Sequence, residues 1–416
     1  MQFFPWKLCA RFRGSRCNHG PAPCTAVWPV DAFLPLTERR IAALPAGEQE
    51  AWLAYWRASR ERAKLSPTRE ITEPTASIGQ APRSTGASRS RGLRLRAAAE
   101  WYASPEAHAI ADRVAKWQSA AGGWSKSGDY LRDPQTSDNR NSIWSSGTFD
   151  NDATTGELRF LALAISANND VERSKGWRDS FQRGLEYVLA SQYPNGGFPQ
   201  IYPLVGGYHD AITFNDDAFV HVLQVLNDVG AQRAPYLFVS AEQATTARAR
   251  VERGIACILT SQIKNSAGDR TVWCQQHDPL TLQPCAARNF EPIAYSSSES
   301  AGLVEFLLTV PQPTTEIIAA IDGAMAWFAP RSIPGVEWDR TATQGTGLVE
   351  RSGAKIWARF YEIGTDQPIF GDRDRSIHYT VTEVSEERRR GYAWYITRPS
   401  SLPTAYLAWK RKLAKS

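Results

Sequence analysis

The 416-residue chain has no run of eighteen or more apolar residues, so no segment reads as a transmembrane helix and no membrane partner is expected. Its first residues carry positive charge but no continuous apolar stretch before a cleavage site, so residues 1–24 form a leader that is not a convincing signal peptide. Cysteines number six, and Cys9, Cys17, Cys24, Cys257, Cys274 and Cys285 match no zinc spacing. Cys274 and Cys285 can close a short loop if the compartment is oxidising. The net charge of +5 is small for this length and gives little reason to expect nucleic acid as a partner. Part of that excess lies in Arg83, Arg89, Arg91, Arg94 and Arg96 and in the run Arg388, Arg389, Arg390, which read as solvated basic stretches. Strand-like alternation is scarce before residue 350.

What is present is a large apolar and aromatic content. Hydrophobic residues make up 42% of the chain, with 15 Trp, 14 Tyr and 16 Phe, enough for a sizeable core and for flat surfaces that stack on ligand rings. Residues 25–65 hold two short helical patterns, through Ile41 and Leu44 and through Trp52, Tyr55 and Trp56, and read as an N-terminal helical arm docked on the body. Residues 66–94, rich in Ser, Thr, Pro and Arg, read as a flexible linker. From residue 95 to 416 the periodicity is mostly helical, and this stretch forms one main domain.

That domain carries an internal repeat. Gln118 in QSAAGGW, Gln192 in QYPNGGF and Gln262 in QIKNSAGDRTVW each end a helix-like segment and lead into a glycine-bearing turn and an aromatic, 74 and 70 residues apart. Each is followed by a loop and a helix start: Thr154 with Glu157, Asn215 with Asp216, and Ser296 with Glu299. The first and third pairs have capping-box spacing. If the two helices of each unit run antiparallel, every turn and every start lies at the same end of the assembly. The expected fold is therefore mainly α, an α/α toroid of about three helical hairpins. A small extended element is expected near the C-terminus, between Gly345 and Trp394.

Residues at the converging end are the candidates for chemistry. Asp150, Asn151, Asn215 and Asp216 lie beside helix N-termini, where carboxylates are favoured in the ionised form and make good ligands for a hard cation. Any one of them is accounted for as a helix cap, but their convergence on one face points to a site. Lys126, Gln276 and His277 fall in the same loops. Arg288 precedes the third capped helix, and Arg359 and Arg373 are either fold-holding ion pairs or clamps for an anionic ligand.

Taken together, FDNDATTGELRFLA, YPNGGFPQIYPLVGGYHDAITFNDDA, TVWCQQHDP, ARNFEP with SSSES, and ARFYE…PIFGDRD resemble the catalytic domain of family 10 polysaccharide lyases, the pectate lyases, over residues 95 to 412. The resemblance implies an α/α toroid and calcium-dependent β-elimination of polygalacturonate to unsaturated products. By the same resemblance Arg288 is the base, Asp150 and Asp216 lie at calcium, and Lys126, Asn151, Asn215, His277, Arg359 and Arg373 lie on the substrate. It implies a monomer that is secreted or periplasmic. Phe198 stands where many relatives have Trp. Two other readings remain open: a toroid glycoside hydrolase using Asp150 and Asp216 as acid and base, and a non-catalytic pectin-binding protein.

Overall fold

The computed structural model describes residues 26–27, 34–65, 90–126, 128–135, 143–342 and 345–415. The leader and most of the linker expected between 66 and 94 lie outside them. Eleven helices are present among the described residues: α1 Glu38–Ile41, α2 Ala46–Ala63, α3 Pro105–Trp117, α4 Thr155–Ser166, α5 Val171–Ser191, α6 Ala218–Ala231, α7 Ala241–Ser261, α8 Ser297–Leu307, α9 Thr315–Phe328, α10 Glu386–Gly391 and α11 Leu402–Leu413. None is long and apolar enough to cross a membrane.

The helices form two layers. α4, α6 and α8 are buried on nearly every face and pack on one another, while α3, α5, α7 and α9 surround them. This is the expected α/α toroid. The close antiparallel pairs are α4 with α5, α6 with α7 and α8 with α9, joined by short connections at one end. The long segments after Gln192 and Gln262 instead cross from one such pair to the next at the opposite end, while the one after Gln118 joins α3 to its neighbour α4. A short link forces its two helices to be neighbours, whereas a long one does not.

Each of the three glutamines occupies the C-cap of its helix, in extended conformation. There its side-chain amide bridges two carbonyls. Gln118 donates to Gly122 in its own turn and to Ser180 of α5, at 2.7 and 2.9 Å. Gln192 donates to Gly196 and to Arg250 of α7, at 3.0 and 2.9 Å. Gln262 donates to Thr271 and to Ala320 of α9, both at 2.9 Å. The repeat seen in the sequence is therefore a clamp that ties each outer helix to the next. The aromatic that follows is equally regular, since the indoles of Trp124 and Trp273 donate to Val114 and Ile258 at 2.7 Å, four residues before the glutamine. Phe198, which has no such donor, is fully buried between Phe149 and Phe219 and is a packing residue.

The N-termini differ between layers. Ser104, Asp170, Ser240 and Thr314 cap the outer helices through their side chains. The inner helices α4, α6 and α8 have no side-chain cap bond. The two capping boxes expected there are not formed. Thr154 has a positive φ of 65° and its hydroxyl accepts from Trp124 N–H at 3.0 Å. Glu157 points into the core, where it accepts from Tyr130 and Ser90 at 2.7 and 3.0 Å and burial pushes its carboxyl up to about 7. Ser296 donates its hydroxyl to the Glu299 carboxylate rather than capping the backbone.

Three small antiparallel sheets frame the loop end. Ile212–Thr213 (β2), Gln276–His277 (β3) and Pro284–Cys285 (β4) join two of the long crossings. Ala26–Val27 (β1) sits at the edge of a five-stranded sheet with Tyr295–Ser296 (β5), Phe360–Tyr361 (β8), Pro368–Gly371 (β9) and Ser376–His378 (β10). Ile333–Trp338 (β6), Leu348–Ala358 (β7) and Tyr395–Ile396 (β11) form the third, so the extended element expected between Gly345 and Trp394 is β7 of this sheet together with β8, β9 and β10 of the five-stranded one. The arm α1–α2 docks as expected, with Trp52 and Tyr55 against Tyr193 and Tyr202, Tyr55 donating to Ser191 O, and Arg40 paired with Asp278 at 2.6 Å.

Two stability outcomes follow from these contacts. Gln192→Ala strips buried carbonyls of Gly196 and Arg250 of their donor and is expected to cost about 2 kcal/mol in urea unfolding, with Gln192→Glu no better because it restores no donor. Glu157 binds its proton more tightly folded than unfolded, so its contribution is present below its unfolded pKa and is lost as pH rises from about 4.5 to about 7. Glu157→Gln should accordingly flatten the stability profile across that window.

Candidate active site

Two three-residue turns lead into α4 and α6, and they are copies of one backbone shape. In Phe149-Asp150-Asn151-Asp152-Ala153 the left-handed residues are Asn151 (φ 54°) and Asp152 (φ 63°); in Phe214-Asn215-Asp216-Asp217-Ala218 they are Asp216 (φ 50°) and Asp217 (φ 60°). Asn and Asp are the residues that tolerate this region best, and such conformations persist where surrounding structure over-determines them. The equivalent positions are thus Asp150 with Asn215 and Asn151 with Asp216. Asp150 and Asp216 are therefore not structural equivalents of each other. Each turn's last aspartate is anchored outward, Asp152 to His221 and Asp217 to Arg398 at 2.7 Å.

Asp150 is buried and held on both oxygens. Lys126 Nζ lies 2.7 Å from Oδ2 and Gln200 donates to Oδ1 at 3.2 Å. His209 Nδ1 is 2.7 Å from Gln200 Oε1, so the ring orients the amide that orients Asp150. Burial and the charges of Lys126 and Arg288 push the imidazole down to about 3, which leaves it neutral, with Nδ1–H as donor. Lys126 also rests over Trp144, 3.7 Å from the ring centroid.

The second turn faces this group. Asn215 accepts from Gln275 at 2.7 Å and donates to Asp216 Oδ2 at 2.9 Å, so Asn215 orients Asp216. Asp216 opens to solvent at the cleft but is ringed by protein charge. Burial, with Asp150 and Glu299 adding to it against the opposing pull of Arg359 and Arg288, lifts its carboxyl to about 6. Arg359 lies 3.9 Å from Asp216 and donates to Glu299, and its own Nε is buried with no hydrogen-bond partner.

Arg288 lies against Glu291, its Nε donating to Oε2 at 2.7 Å and its Nη2 to Oε1, over the rings of Phe290 and Tyr392. Burial alone would lower its pKa, but the Glu291 charge outweighs it and holds the guanidinium well above the ordinary value. Arg373, largely exposed, shares the Phe290 ring and is paired with Glu387 at 2.8 Å. The cleft therefore gathers Asp150, Asn151, Asn215, Asp216, Lys126, Arg288, Arg359 and Arg373.

His277 does not belong to it. Its ring is fully buried in β3; Nδ1 donates to Leu282 O at 2.9 Å and Nε2 accepts from Cys274 N–H at 3.2 Å, leaving no ring nitrogen for a ligand, and burial lowers its pKa to about 4. It braces the loop, and neighbouring Gln276 is also buried, donating to Thr213. Cys274 and Cys285 are both free thiols, with Cys274 Sγ 3.5 Å from the Cys285 carbonyl oxygen. Residues that the sequence left unnoticed include Gln200, His209, Gln275, Glu291 and Tyr392. Glu291 stands within ARNFEP, but nothing in the linear spacing marks it as the partner of Arg288.

His277→Ala should accordingly lower stability by about 2 kcal/mol or more while leaving ligand affinity in the cleft unchanged. Paired denaturation and ligand titration would separate the two effects.

Among the described residues no group of three or more His, Cys, Asp and Glu side chains is arranged to hold a metal. The protein's own donors here are two carboxylates and neighbouring amide oxygens, all hard ligands.

Residues 118–402 match the family model described as pectic acid lyase. A comparison with curated proteins gave no match. Among solved structures, the family 10 polysaccharide lyase from Cellvibrio cellulosa is 35% identical with TM-score 0.64, covering 76% of this chain and 97% of that one. A mutant of the family 10 polysaccharide lyase from the same organism, in complex with trigalacturonic acid, is 36% identical with TM-score 0.66, covering 77% and 97%. A match over more than half of the chain, and more than a third identity over nearly all of a solved relative, carry the assignment that the geometry prepares: the chain belongs to the pectic acid lyases, the family 10 polysaccharide lyases.

Proposed function

We propose that this lyase cleaves polygalacturonate by β-elimination, with Arg288 as base and calcium at Asp150 and Asp216. The observation that carries the reading is the alternation of charge in the cleft: two carboxylates from copied turns face Lys126, Arg288 and Arg359, and Arg359 keeps a buried nitrogen without an acceptor. Polygalacturonate is a chain of carboxylates, and a relative is known in complex with trigalacturonic acid.

The donor set suits calcium. Asp150 and Asp216 are hard oxygen ligands, and Asn151 is adjacent. Asp150, Asp216 and the Asn151 amide would hold the ion, with substrate and water oxygens filling the remaining positions. When bound, calcium supplies charge neutralisation at the uronate carboxylate.

The C5 proton of a galacturonate is α to that carboxylate, and its removal develops negative charge there. Arg359 and Arg373 provide guanidinium forks for uronate carboxylates, Lys126 adds a point charge, and Asn215 keeps Asp216 in place. Arg288 takes the proton from C5 as the bond from C4 to the leaving oxygen breaks, giving a 4,5-unsaturated end. An arginine is neutral only in a small fraction of molecules near neutrality, and Glu291 makes that fraction smaller still. Activity should therefore climb toward alkaline pH. On this reading the enzyme acts as a secreted or periplasmic monomer.

Absorbance of the unsaturated product is expected on mixing the protein with polygalacturonate and calcium, and should vanish with a chelator. It should fall about 10²–10⁴-fold in Arg288→Ala. Wild-type rate in Arg288→Ala would remove Arg288 from the role of base, and saturated reducing products without calcium would select a hydrolase.

A further inference from the structure

Glu291 is 2% exposed, yet its carboxylate forms the floor beneath the cleft arginine. It is fixed from three directions. Within its own loop, Arg288 N–H donates to Oε2 at 3.2 Å while Glu291 N–H returns to the Arg288 carbonyl at 2.8 Å. From the segment between α10 and β11, the Tyr392 hydroxyl donates to Oε1 at 2.8 Å. From the residue before β3, Gln275 adds a side-chain hydrogen bond, and the same side chain holds Asn215.

Against this fixed plate the Arg288 guanidinium is clamped by Nε and Nη2, with Phe290 and Tyr392 rings 4.9 and 5.8 Å from its carbon. Nη1 has no partner among the described residues, and the side chain is 42% exposed, open toward the cleft. Two nitrogens are committed and one is free.

We propose that Glu291 is a positioning residue that presents Nη1 of Arg288, and no other nitrogen, to the C5 proton of a bound galacturonate, and stabilises the guanidinium formed when that proton arrives. The proposal rests on the reading of Arg288 as base. In the step, the Nη1 lone pair of neutral Arg288 takes the C5 proton. The electron pair of the C5–H bond becomes the C4–C5 double bond, and the C4–O bond breaks with its pair going to the leaving oxygen, which takes a proton from water. The guanidinium returns its proton to solvent before the next turnover. Glu291 keeps its charge throughout, in the way a buried carboxylate orients and supports a base without itself accepting the proton.

Other charges facing Arg288 are set by other elements. The Tyr392 and Tyr208 hydroxyls and Asp216 lie on the side that favours the cation, Arg373 on the side that opposes it, and His209 is neutral. Removing the Glu291 charge leaves these in place. The guanidinium then gives up its proton more easily but is no longer aimed.

The test is the pH profile of Glu291→Gln on polygalacturonate with calcium. The rising alkaline limb of kcat/KM is expected to move at least about one pH unit toward acid, plateau kcat to fall about 10–100-fold, and KM to stay within about threefold. An unmoved limb, with activity lost only in proportion to folded protein, would show a merely structural carboxylate and overturn the proposal. Should that variant not fold, proton NMR of the wild-type arginine Nε–H groups serves instead. The Arg288 signal, identified by its loss in Arg288→Lys, should be sharp and shifted by hydrogen bonding at pH 9, and its absence there would equally overturn the clamp. Because this signal needs no turnover, it still reports on Glu291 if Arg288→Ala proves that arginine is not the base.

Discussion

The glutamines that end α3, α5 and α7 are the contacts on which the architecture rests. A C-cap leaves carbonyls without partners, and the usual remedy is a left-handed residue that turns the chain back on itself. Here the helix stops in an extended residue, and the side-chain amide satisfies one carbonyl in its own turn and another in the next helix. Because that second carbonyl belongs to the neighbouring unit, each clamp ends one helix and sets the position of the next. Three clamps in series hold the long crossings at one end of the molecule, and the cleft exists because those crossings have nowhere else to go.

The inner helices meet the crossings under a different rule. Their first turns carry no side-chain cap, and the acids that stand there are engaged elsewhere, Glu157 by Tyr130 and Glu299 by Ser296 and Arg359. The left-handed turns before α4 and α6 are tolerated because outward anchors fix them, Asp152 on His221 and Asp217 on Arg398, the latter also bonded to Glu305. With the last aspartate of each turn committed outward, Asp150 and Asp216 are turned inward. Two of the left-handed stretches of the backbone thus lie where carboxylates turn toward the cleft.

How much of this could be read from the sequence depends on how local the cause is. The Gln-Gly-aromatic unit was legible because its residues lie within a dozen positions and repeat. The cleft was legible in outline, since antiparallel helices put the turns that end one set and the starts of the other at the same end. The capping boxes at Thr154 and Ser296 were misread because spacing says which atoms can meet, not which partner wins: the Thr154 hydroxyl is claimed by Trp124 and Glu157 by Tyr130. His277 looked like a ligand group because polar residues near a site invite that reading, while its ring serves two backbone atoms. Gln275, Glu291 and Tyr392 come from three separate stretches, and only folding makes them one network.

That network also explains why buried charge is kept in a wall that apolar packing could fill more cheaply. Replacing a buried ion pair with well-packed apolar side chains is often neutral or stabilising, so Glu291 with Arg288 and Glu299 with Arg359 are poor arguments for stability alone. Their geometry is better suited to aiming. In each pair the carboxylate is almost fully buried and tied by further donors, Tyr392 and Gln275 at Glu291 and Ser296 at Glu299, while a guanidinium nitrogen is left without an acceptor. On the proposed mechanism, a bound uronate carboxylate accepts from the arginine at Glu299, and the acidic C–H meets the arginine at Glu291. The cost of desolvating the two acids is met on folding, before substrate arrives, and the cations are already oriented when it does.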